Sequence, residues 1–256
     1  MNLLLLDRTE IDADNVATIT DVRARHIRQV LGAEPGRALR IGLIDGPAGT
    51  GTVVAIDDRQ VRLACTFDEA RPPLPRVDLL LALPRPKVLQ RLWAQIAALG
   101  VGRILLTNAA RVERHYFDTH VLDEATYRPL LIEGLQQARD TRVPRVSVHR
   151  QFRVLVEDDL DRLCPQATRL LADPAPDSSG DACDALETAR TTSDARVLLA
   201  AGPEGGWNDF ERRLLISRGF QPFSLGPRTL RSDTACIALL TLVHAALSSP
   251  RPRPRG

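Results

Sequence analysis

Two short loops near the C-terminal end of the sequence contain the residues best suited to binding a ligand. The first, at residues 202–206, reads Gly-Pro-Glu-Gly-Gly and follows an apolar run, and the second begins at Leu225-Gly226-Pro227 after another apolar run. In each case a polar stretch then opens a helical pattern, which is how parallel strands present main-chain amides to a ligand. Neither loop has the glycine spacing of a dinucleotide site or the Gly-Lys-Ser/Thr ending of a phosphate loop. The repeated layout therefore predicts one ligand site built from two loops.

Charged side chains in the second loop add possible chemistry to this site. Arg228 and Arg231 lie three residues apart, with no obvious acidic partner in the adjacent sequence. Ser232 and Asp233 follow at the expected start of a helix, where we expect Ser232 to be the N-cap and Asp233 to lie in the first turn. A role for Asp233 as a proton acceptor is the alternative to this structural one.

Composition and charge exclude several classes of protein. The 256 residues are 44% hydrophobic, the net charge is +2, and Lys87 is the only lysine. Arginine dominance reflects either genome composition or recognition of phosphate and carbonyl groups by the guanidinium. The four cysteines are scattered, without a Cys-x-x-Cys pair or histidines at zinc-ligand spacing, so we expect a reduced, cytoplasmic protein without a metal. The N-terminal apolar run stops at Asp7, and no stretch approaches the roughly 18 apolar residues of a membrane span.

Residues 1–70 are predicted to form a small β-rich domain with one helix. Thr20 is the expected N-cap of this helix, and Gly32 its C-terminal signal. Several basic side chains lie on this helix. They indicate either a solvent-exposed face or a surface that binds a phosphate backbone. The residues concerned are Arg23, Arg25, His26 and Arg28.

The proline-rich segment 71–76 is the predicted linker, and apolar strand and helix patterns alternate after it. This alternation predicts an α/β domain over residues 77–249, with parallel strands and crossover helices. A helix is expected from Asp118 to Arg139, with Pro129 as a possible break into two pieces. Residues 250–256, which alternate proline and arginine, are predicted to be a disordered basic tail.

The two loops also carry a resemblance to a known family. Leu199-x-x-Gly-Pro-Glu-Gly-Gly, followed by Leu225-Gly-x-Arg-x-Leu-Arg-x-x-Thr-Ala, resembles the RsmE family of the SPOUT class, which methylates N3 of a uridine in small-subunit ribosomal RNA. Weaker matches at Arg142-Val143-Pro144, Leu99-Gly100-Val101 and the N-terminal helix extend the resemblance over nearly the whole chain.

The resemblance implies a PUA-like N-terminal domain for RNA, a C-terminal domain with a trefoil knot, S-adenosylmethionine as cofactor, and a homodimer in which the partner chain completes each active site. The implied RNA is 16S rRNA or the 30S particle. From the chemistry of the uracil ring we expect Arg231 to be the catalytic residue, holding the carbonyl oxygens as negative charge develops. Arg228 is expected to face RNA together with the four basic residues of the N-terminal helix. The implied cofactor contacts are Ala172, Gly202, Pro203, Glu204, Gly205, Leu225, Gly226 and Leu230.

The sequence departs from the family pattern at three places. Residues 94–98 lack the usual lysine and glutamate, Gln136-Gln137 replaces a Glu-Gln pair, and Ser232-Asp233 replaces a threonine-glutamate pair. These departures concern the target nucleotide more than the reaction class. A catalytically silent relative that binds RNA or ribosomal particles remains the alternative. A nucleotide-binding oxidoreductase is disfavoured because the dinucleotide fingerprint is missing.

Overall fold

The computed structural model describes residues 2–173, 186–187 and 196–248. The predicted loop at 175–184 and the predicted tail at 250–256 lie outside these residues. The chain divides into two compact units. The first contains the residues up to Leu74 together with Leu131–Val143, and the second contains Pro75–Leu130 together with the described residues from Pro144 onward.

The first unit is built on a five-stranded sheet with the strand order β1-β3-β4-β5-β2. Its core is formed by alternate apolar side chains of these strands, such as Ile19, Ile41 and Leu63, together with Ile27 of helix α1. The elements are β1 (Leu4–Leu6), a 3-10 turn (Arg8–Glu10), β2 (Val16–Ile19), α1 (Val22–Gln29), β3 (Ala38–Leu43), β4 (Ala48–Ile56) and β5 (Val61–Phe67).

The N-cap of α1 differs from the prediction. Asp21, not Thr20, caps the helix, since its side chain accepts a hydrogen bond from the Arg23 main-chain amide at 2.8 Å. Asp is as good an N-cap as Thr, and the two residues are adjacent, so the pattern alone did not distinguish them. Gly32 has a φ of +54°, which fits the predicted change of direction after the helix.

The second unit is built on a six-stranded, entirely parallel sheet with the order β11-β9-β10-β6-β7-β8. The predicted α/β class with a parallel sheet is confirmed. The strands are β6 (Val77–Ala82), β7 (Val101–Thr107), β8 (Arg145–His149), β9 (Thr168–Ala172), β10 (Val197–Ala201) and β11 (Gln221–Phe223).

The central strands β6 and β10 are buried along their whole length. Their continuous apolar runs are typical of parallel strands that are covered on both faces. After β6 the described helices are α2 (Pro86–Ala98), α3 (Glu124–Ala138), α4 (Phe152–Val154), α5 (Leu160–Leu163), α6 (Asp209–Ser217) and α7 (Ser232–Ser248). The first half of α3 belongs to the second unit, and its residues from Leu131 onward belong to the first. A π-helical turn (Leu155–Asp159) joins α4 to α5, and two 3-10 turns (Arg114–Asp118 and His120–Leu122) precede α3.

Helix α3 corrects the prediction for residues 118–139. It begins at Glu124, because the preceding residues form the two 3-10 turns, and Pro129 lies inside it without ending it. Proline removes one main-chain donor from a helix. The helix continues nonetheless, and Leu131 and Leu135 on its following turns are buried at 0% and 1% exposure.

Candidate active site

A cavity of about 320 Å³ lies where β9, β10 and β11 end and where α7 begins. The three strands are neighbours in the parallel sheet, with Leu199 opposite Leu170 and Pro222 opposite Leu171. Because parallel strands end at the same edge, the loops that follow them converge there. The lining residues are Ala172, Asp173, Ala201, Gly202, Pro203, Glu204, Gly205, Gly206, Phe223, Ser224, Leu225, Gly226, Arg228, Thr229, Leu230, Ser232, Ala235 and Leu239.

The structure thus brings all eight residues expected to contact the cofactor into one cavity, together with Arg228. Arg231 is exposed and does not line it. The apolar part of the lining includes Leu225 and Leu230, which are 39% and 36% exposed. Apolar side chains of this size that face an open cavity are available for contact with a ligand.

Main-chain conformation explains why the second loop contains glycine. Gly226 has a φ of +106°, a value that residues with a Cβ rarely adopt. Its amide donates to the Ser224 hydroxyl at 3.1 Å, which fixes the turn after β11. A Cβ at position 226 would meet nothing within 4 Å, so the constraint at this position is conformational rather than steric.

The first loop is held by side chains and amides that the sequence analysis did not single out. Glu204 Oε1 accepts a hydrogen bond from the Arg85 amide at 3.2 Å, and the Arg111 guanidinium donates to the Gly205 carbonyl. Arg85 follows β6 and Arg111 follows β7, so the loops after two neighbouring strands support the glycine-rich loop. These contacts join residues 94 to 119 positions apart, which no local pattern reveals.

Two acidic side chains near the cavity are buried and paired. Asp173 is 8% exposed and forms an ion pair with Arg212 of α6. Glu211, 4% exposed, accepts hydrogen bonds from the Ala110 amide at 2.6 Å and the Asn208 amide at 2.9 Å. The Asn208 side chain in turn accepts from the Glu211 amide at 2.8 Å, which completes a capping box at the start of α6. Both carboxylates therefore stabilise the walls of the site.

Ser232 is not the N-cap that the sequence predicted. The Arg231 carbonyl accepts a hydrogen bond from the Ala235 amide at 2.7 Å, so Arg231 occupies the cap position and Ser232 is the first residue of α7. Within the described residues the Ser232 hydroxyl is buried and has no hydrogen-bond partner. Since Ser232 lines the cavity, its hydroxyl is placed to bind a polar group of a ligand.

Asp233 is engaged by a helix that is distant in sequence. Its Oδ2 accepts from Arg91 Nη2 of α2 at 2.9 Å, and its Oδ1 accepts from the Thr234 amide at 3.0 Å. The Arg91 hydrogen bond lowers the pKa of the Asp233 carboxyl. A carboxylate with a lowered pKa is a weaker base, which disfavours Asp233 as a proton acceptor.

Comparison with known proteins identifies the family of the domain that contains this cavity. A family profile for the RNA methyltransferase domain matches residues 71–244, which include every residue that lines the cavity. The chain belongs to this RNA methyltransferase family.

Full-length relatives agree with this assignment, and the resemblance to the RsmE family is confirmed. The chain is 29% identical to ribosomal RNA small subunit methyltransferase E of Treponema pallidum, over 100% of this chain and 97% of the relative. It is 28% identical to the protein of that name from Synechocystis, over 91% of this chain and 74% of the relative. The crystal structure of the Neisseria gonorrhoeae enzyme bound to S-adenosyl methionine has a TM-score of 0.75 at 20% identity, covering 96% of this chain and 97% of that chain. This last similarity shows the fold.

The family profile begins at residue 71, after helix α1 of the first unit. The four basic residues of α1 have different environments. Arg23 forms ion pairs with Glu10 and Asp21 and donates to the Leu5 carbonyl at 2.8 Å. The Nε2 atom of His26 is buried and has no hydrogen-bond partner within the described part of the chain. Arg23 therefore holds α1 against its own unit, and its charge is already compensated.

Arg25 and Arg28 instead line a second cavity of about 350 Å³ between α1 and the turn that joins β4 to β5. Arg59, which the sequence analysis did not select, lines the same cavity. Asp57 Oδ1 accepts from the amides of Arg59 and Gln60 at 2.7 and 2.9 Å, which fixes the turn. Three arginines and two aspartates, Asp21 and Asp58, therefore line one cavity, and Asp58 Oδ1 lies 3.8 Å from Arg28 Nη1.

The described part of the chain contains neither a cluster of metal ligands nor a membrane-spanning helix. Over residues 2–173, 186–187 and 196–248, no group of three or more His, Cys, Asp or Glu side chains is arranged to hold a metal ion. In the same part of the chain, no helix has the length and apolar character needed to cross a membrane.

Proposed function

We propose that this protein transfers a methyl group from S-adenosylmethionine to N3 of a uridine in the 16S RNA of the small ribosomal subunit. The observation that carries the proposal is the cavity at the ends of β9, β10 and β11, which contains all eight residues of the expected cofactor site. Relatives named ribosomal RNA small subunit methyltransferase E support the choice of substrate.

The cavity suits a ligand with apolar, polar and charged parts. Glycine-rich main chain from the loops after β10 and β11 allows close approach, and Leu225 and Leu230 offer apolar surface. The buried, unpartnered hydroxyl of Ser232 suits a polar group of the ligand. When bound, S-adenosylmethionine supplies a reactive methyl group on a positively charged sulfur. The residues that would hold it are Ala172, Gly202, Pro203, Glu204, Gly205, Leu225, Gly226 and Leu230.

Arg231 has the chemistry that the RNA base requires. N3 of uracil carries a proton between two carbonyl groups, so methylation requires loss of that proton to a base. The resulting negative charge is shared by N3 and the two carbonyl oxygens until the methyl group bonds to N3. The Arg231 guanidinium is a planar fork of donors that suits these oxygens, and a single such donor supplies about 3 to 4 kcal/mol in comparable sites. Arg231 is exposed beside the cavity at the N-terminus of α7, where RNA can reach it.

The proposal also includes the domain types, the knot and the dimer that the RsmE resemblance implies, together with the cellular location. Residues 1–70 would form a PUA-like RNA-binding domain and residues 77–249 a SPOUT domain with a trefoil knot. The enzyme would act in the cytoplasm as a homodimer, with each active site completed by the partner chain. Exposed apolar side chains of the second unit, such as Phe210 at 51% and Ile216 at 37%, are consistent with a protein partner.

RNA contacts in this proposal involve Arg228 and the basic residues of α1. Arg25 and Arg28, with Arg59, would bind the phosphate backbone at the second cavity, since Arg25 and Arg59 are exposed there. Arg23 and His26 would contribute mainly by holding α1 in place, because Arg23 is paired with two carboxylates and the His26 Nε2 is buried.

Methyl transfer from labelled S-adenosylmethionine tests the proposal. The protein is incubated with intact 30S particles and, separately, with naked 16S RNA, and the labelled nucleoside is identified after digestion. We expect label in N3-methyluridine. Label in another nucleoside would contradict the substrate, and cofactor binding without label in either RNA would favour a catalytically silent protein.

A further inference from the structure

The sequence places one carboxylate next to the proposed catalytic arginine. Asp233 follows Arg231 by two positions, and it is the only acidic residue between Glu211 and the C-terminus. Arg231 has the cap position of α7, and Asp233 lies in its first turn. A carboxylate this close in sequence is a natural competitor of the RNA for the Arg231 guanidinium.

The same chain contains an ion pair of this kind at another helix start. Asp21 caps α1, and its carboxylate accepts from the Nε of Arg23, two residues later, at 2.9 to 3.0 Å. An arginine and an aspartate at a spacing of two residues can therefore pair around the first turn of a helix. Asp233 and Arg231 have the same spacing in the reverse order.

In the structure, the Asp233 carboxylate is instead paired with Arg91. Arg91 Nη2 lies 2.9 Å from Asp233 Oδ2, and the Thr234 amide occupies Oδ1. No ion pair of Arg231 occurs within the described residues. The Arg91 side chain is 59% exposed and that of Asp233 is 22% exposed, so the ion pair lies at the surface with the carboxylate as its less exposed partner.

We propose that Arg91 is a positioning residue that holds Asp233 and thereby keeps the Arg231 guanidinium available to the RNA. This inference rests on the proposed role of Arg231 and adds a residue of α2 to that site. In this proposal the Arg91–Asp233 ion pair serves to keep Arg231 free rather than to stabilise the fold. A surface ion pair by itself contributes only about 0 to 1 kcal/mol to stability.

A double-mutant cycle distinguishes this role from a purely structural one. We expect Arg91→Gln to lower kcat for methyl transfer about fivefold, since Asp233 then pairs with Arg231 at the strength of an exposed ion pair. Asp233→Asn alone should retain the wild-type kcat. The double variant Arg91→Gln/Asp233→Asn should recover it, because the competing charge is gone. Affinity for S-adenosylmethionine, measured by calorimetry, should stay within twofold of wild type in all three variants.

Three results with these variants would overturn the inference. They are an unchanged kcat in Arg91→Gln, a double variant as slow as Arg91→Gln, and an inactive Asp233→Asn, which would make Asp233 the proton acceptor. Arg162→Gln is the matched control, because Arg162 pairs with Asp159 at 2.7 Å with side-chain exposures of 72% and 30% and neither residue lines the cavity. Equal losses in this control would also overturn the inference.

Arg231→Ala separates the inference from the proposed function. If Arg231→Ala is fully active, the proposed role of Arg231 fails and the inference fails with it. If Arg231→Ala is inactive while Arg91→Gln matches wild type, the proposed function stands and only the inference fails.

Discussion

The guanidinium of Arg111 donates a hydrogen bond to the main-chain carbonyl of Gly205, and this contact joins the loop after β7 to the glycine-rich loop after β10. A Cβ at position 205 would lie 2.7 Å from the Arg111 Cδ, so the absence of a side chain lets the arginine cross the loop. We expect Arg111→Ala to weaken binding of S-adenosylmethionine about threefold to tenfold, since one hydrogen bond that holds the loop is lost. Isothermal titration calorimetry measures this change, and unaltered affinity would show that the loop keeps its shape without Arg111.

The need for glycine at position 226 can be tested by comparison with Gly219. Gly226→Ala and Gly219→Ala both place a Cβ at positive φ, +106° and +82°, with nothing within 4 Å. Both should lower the free energy of unfolding by about 1 kcal/mol. Only Gly226 lines the cavity, so only Gly226→Ala should also lower affinity for S-adenosylmethionine. Equal affinities in the two variants would mean that the cofactor does not depend on the turn after β11.

Removal of the unpartnered Ser232 hydroxyl should weaken ligand binding without weakening the fold. Ser232→Ala removes a buried polar group that has no partner in the described structure, so the free energy of unfolding of the unliganded protein should stay the same or rise. Affinity for S-adenosylmethionine should fall about threefold to tenfold. Ser232→Thr keeps the hydroxyl and is the control. A loss of stability without a loss of affinity would instead indicate a structural role.

Replacement of Arg231 tests the reaction itself. Arg231→Ala should lower kcat about 100-fold or more, because a donor to the developing negative charge is lost, and should leave affinity for S-adenosylmethionine nearly unchanged. Arg213→Ala makes the same change of charge at an exposed position of α6 outside the cavity and should be fully active. Methyl transfer to small-subunit RNA at saturating substrate measures both variants.

Burial of His244 predicts a pH dependence of stability. Burial lowers the pKa of this imidazole below its ordinary value of 6.5, and its Nε2 has no partner among the described residues. The unfolded chain therefore binds a proton at higher pH than the folded chain, and the stability that His244 contributes is lost as pH falls from about 6.5 through the lowered pKa. Urea unfolding between pH 8 and pH 5 should show a smaller loss in His244→Leu than in wild type. Parallel curves would contradict this assignment.

Patterns of apolar runs, glycines and prolines predicted the parallel sheet and the two loops, because adjacent residues along the chain determine strands and turns. The prediction for Ser232 was wrong because serine is a common N-cap, and nothing local shows that the Arg231 carbonyl accepts the first helical bond. The Arg91–Asp233 and Arg111–Gly205 contacts were not predicted, since they join residues 142 and 94 positions apart. Such contacts depend on the packed sheet rather than on a motif.

The cavity has walls from β9, β10, β11 and α7, from Ala172 to Leu239, so it exists only when these elements are folded together. A ligand of this cavity therefore binds the native state and not the unfolded chain. At a concentration 100 times its dissociation constant, such a ligand stabilises the fold by about 2.7 kcal/mol. Thermal melting in the presence of S-adenosylmethionine, its demethylated product or free nucleosides can thus rank ligands of the site without any RNA, and can separate variants that have lost the cofactor from those that have lost the reaction.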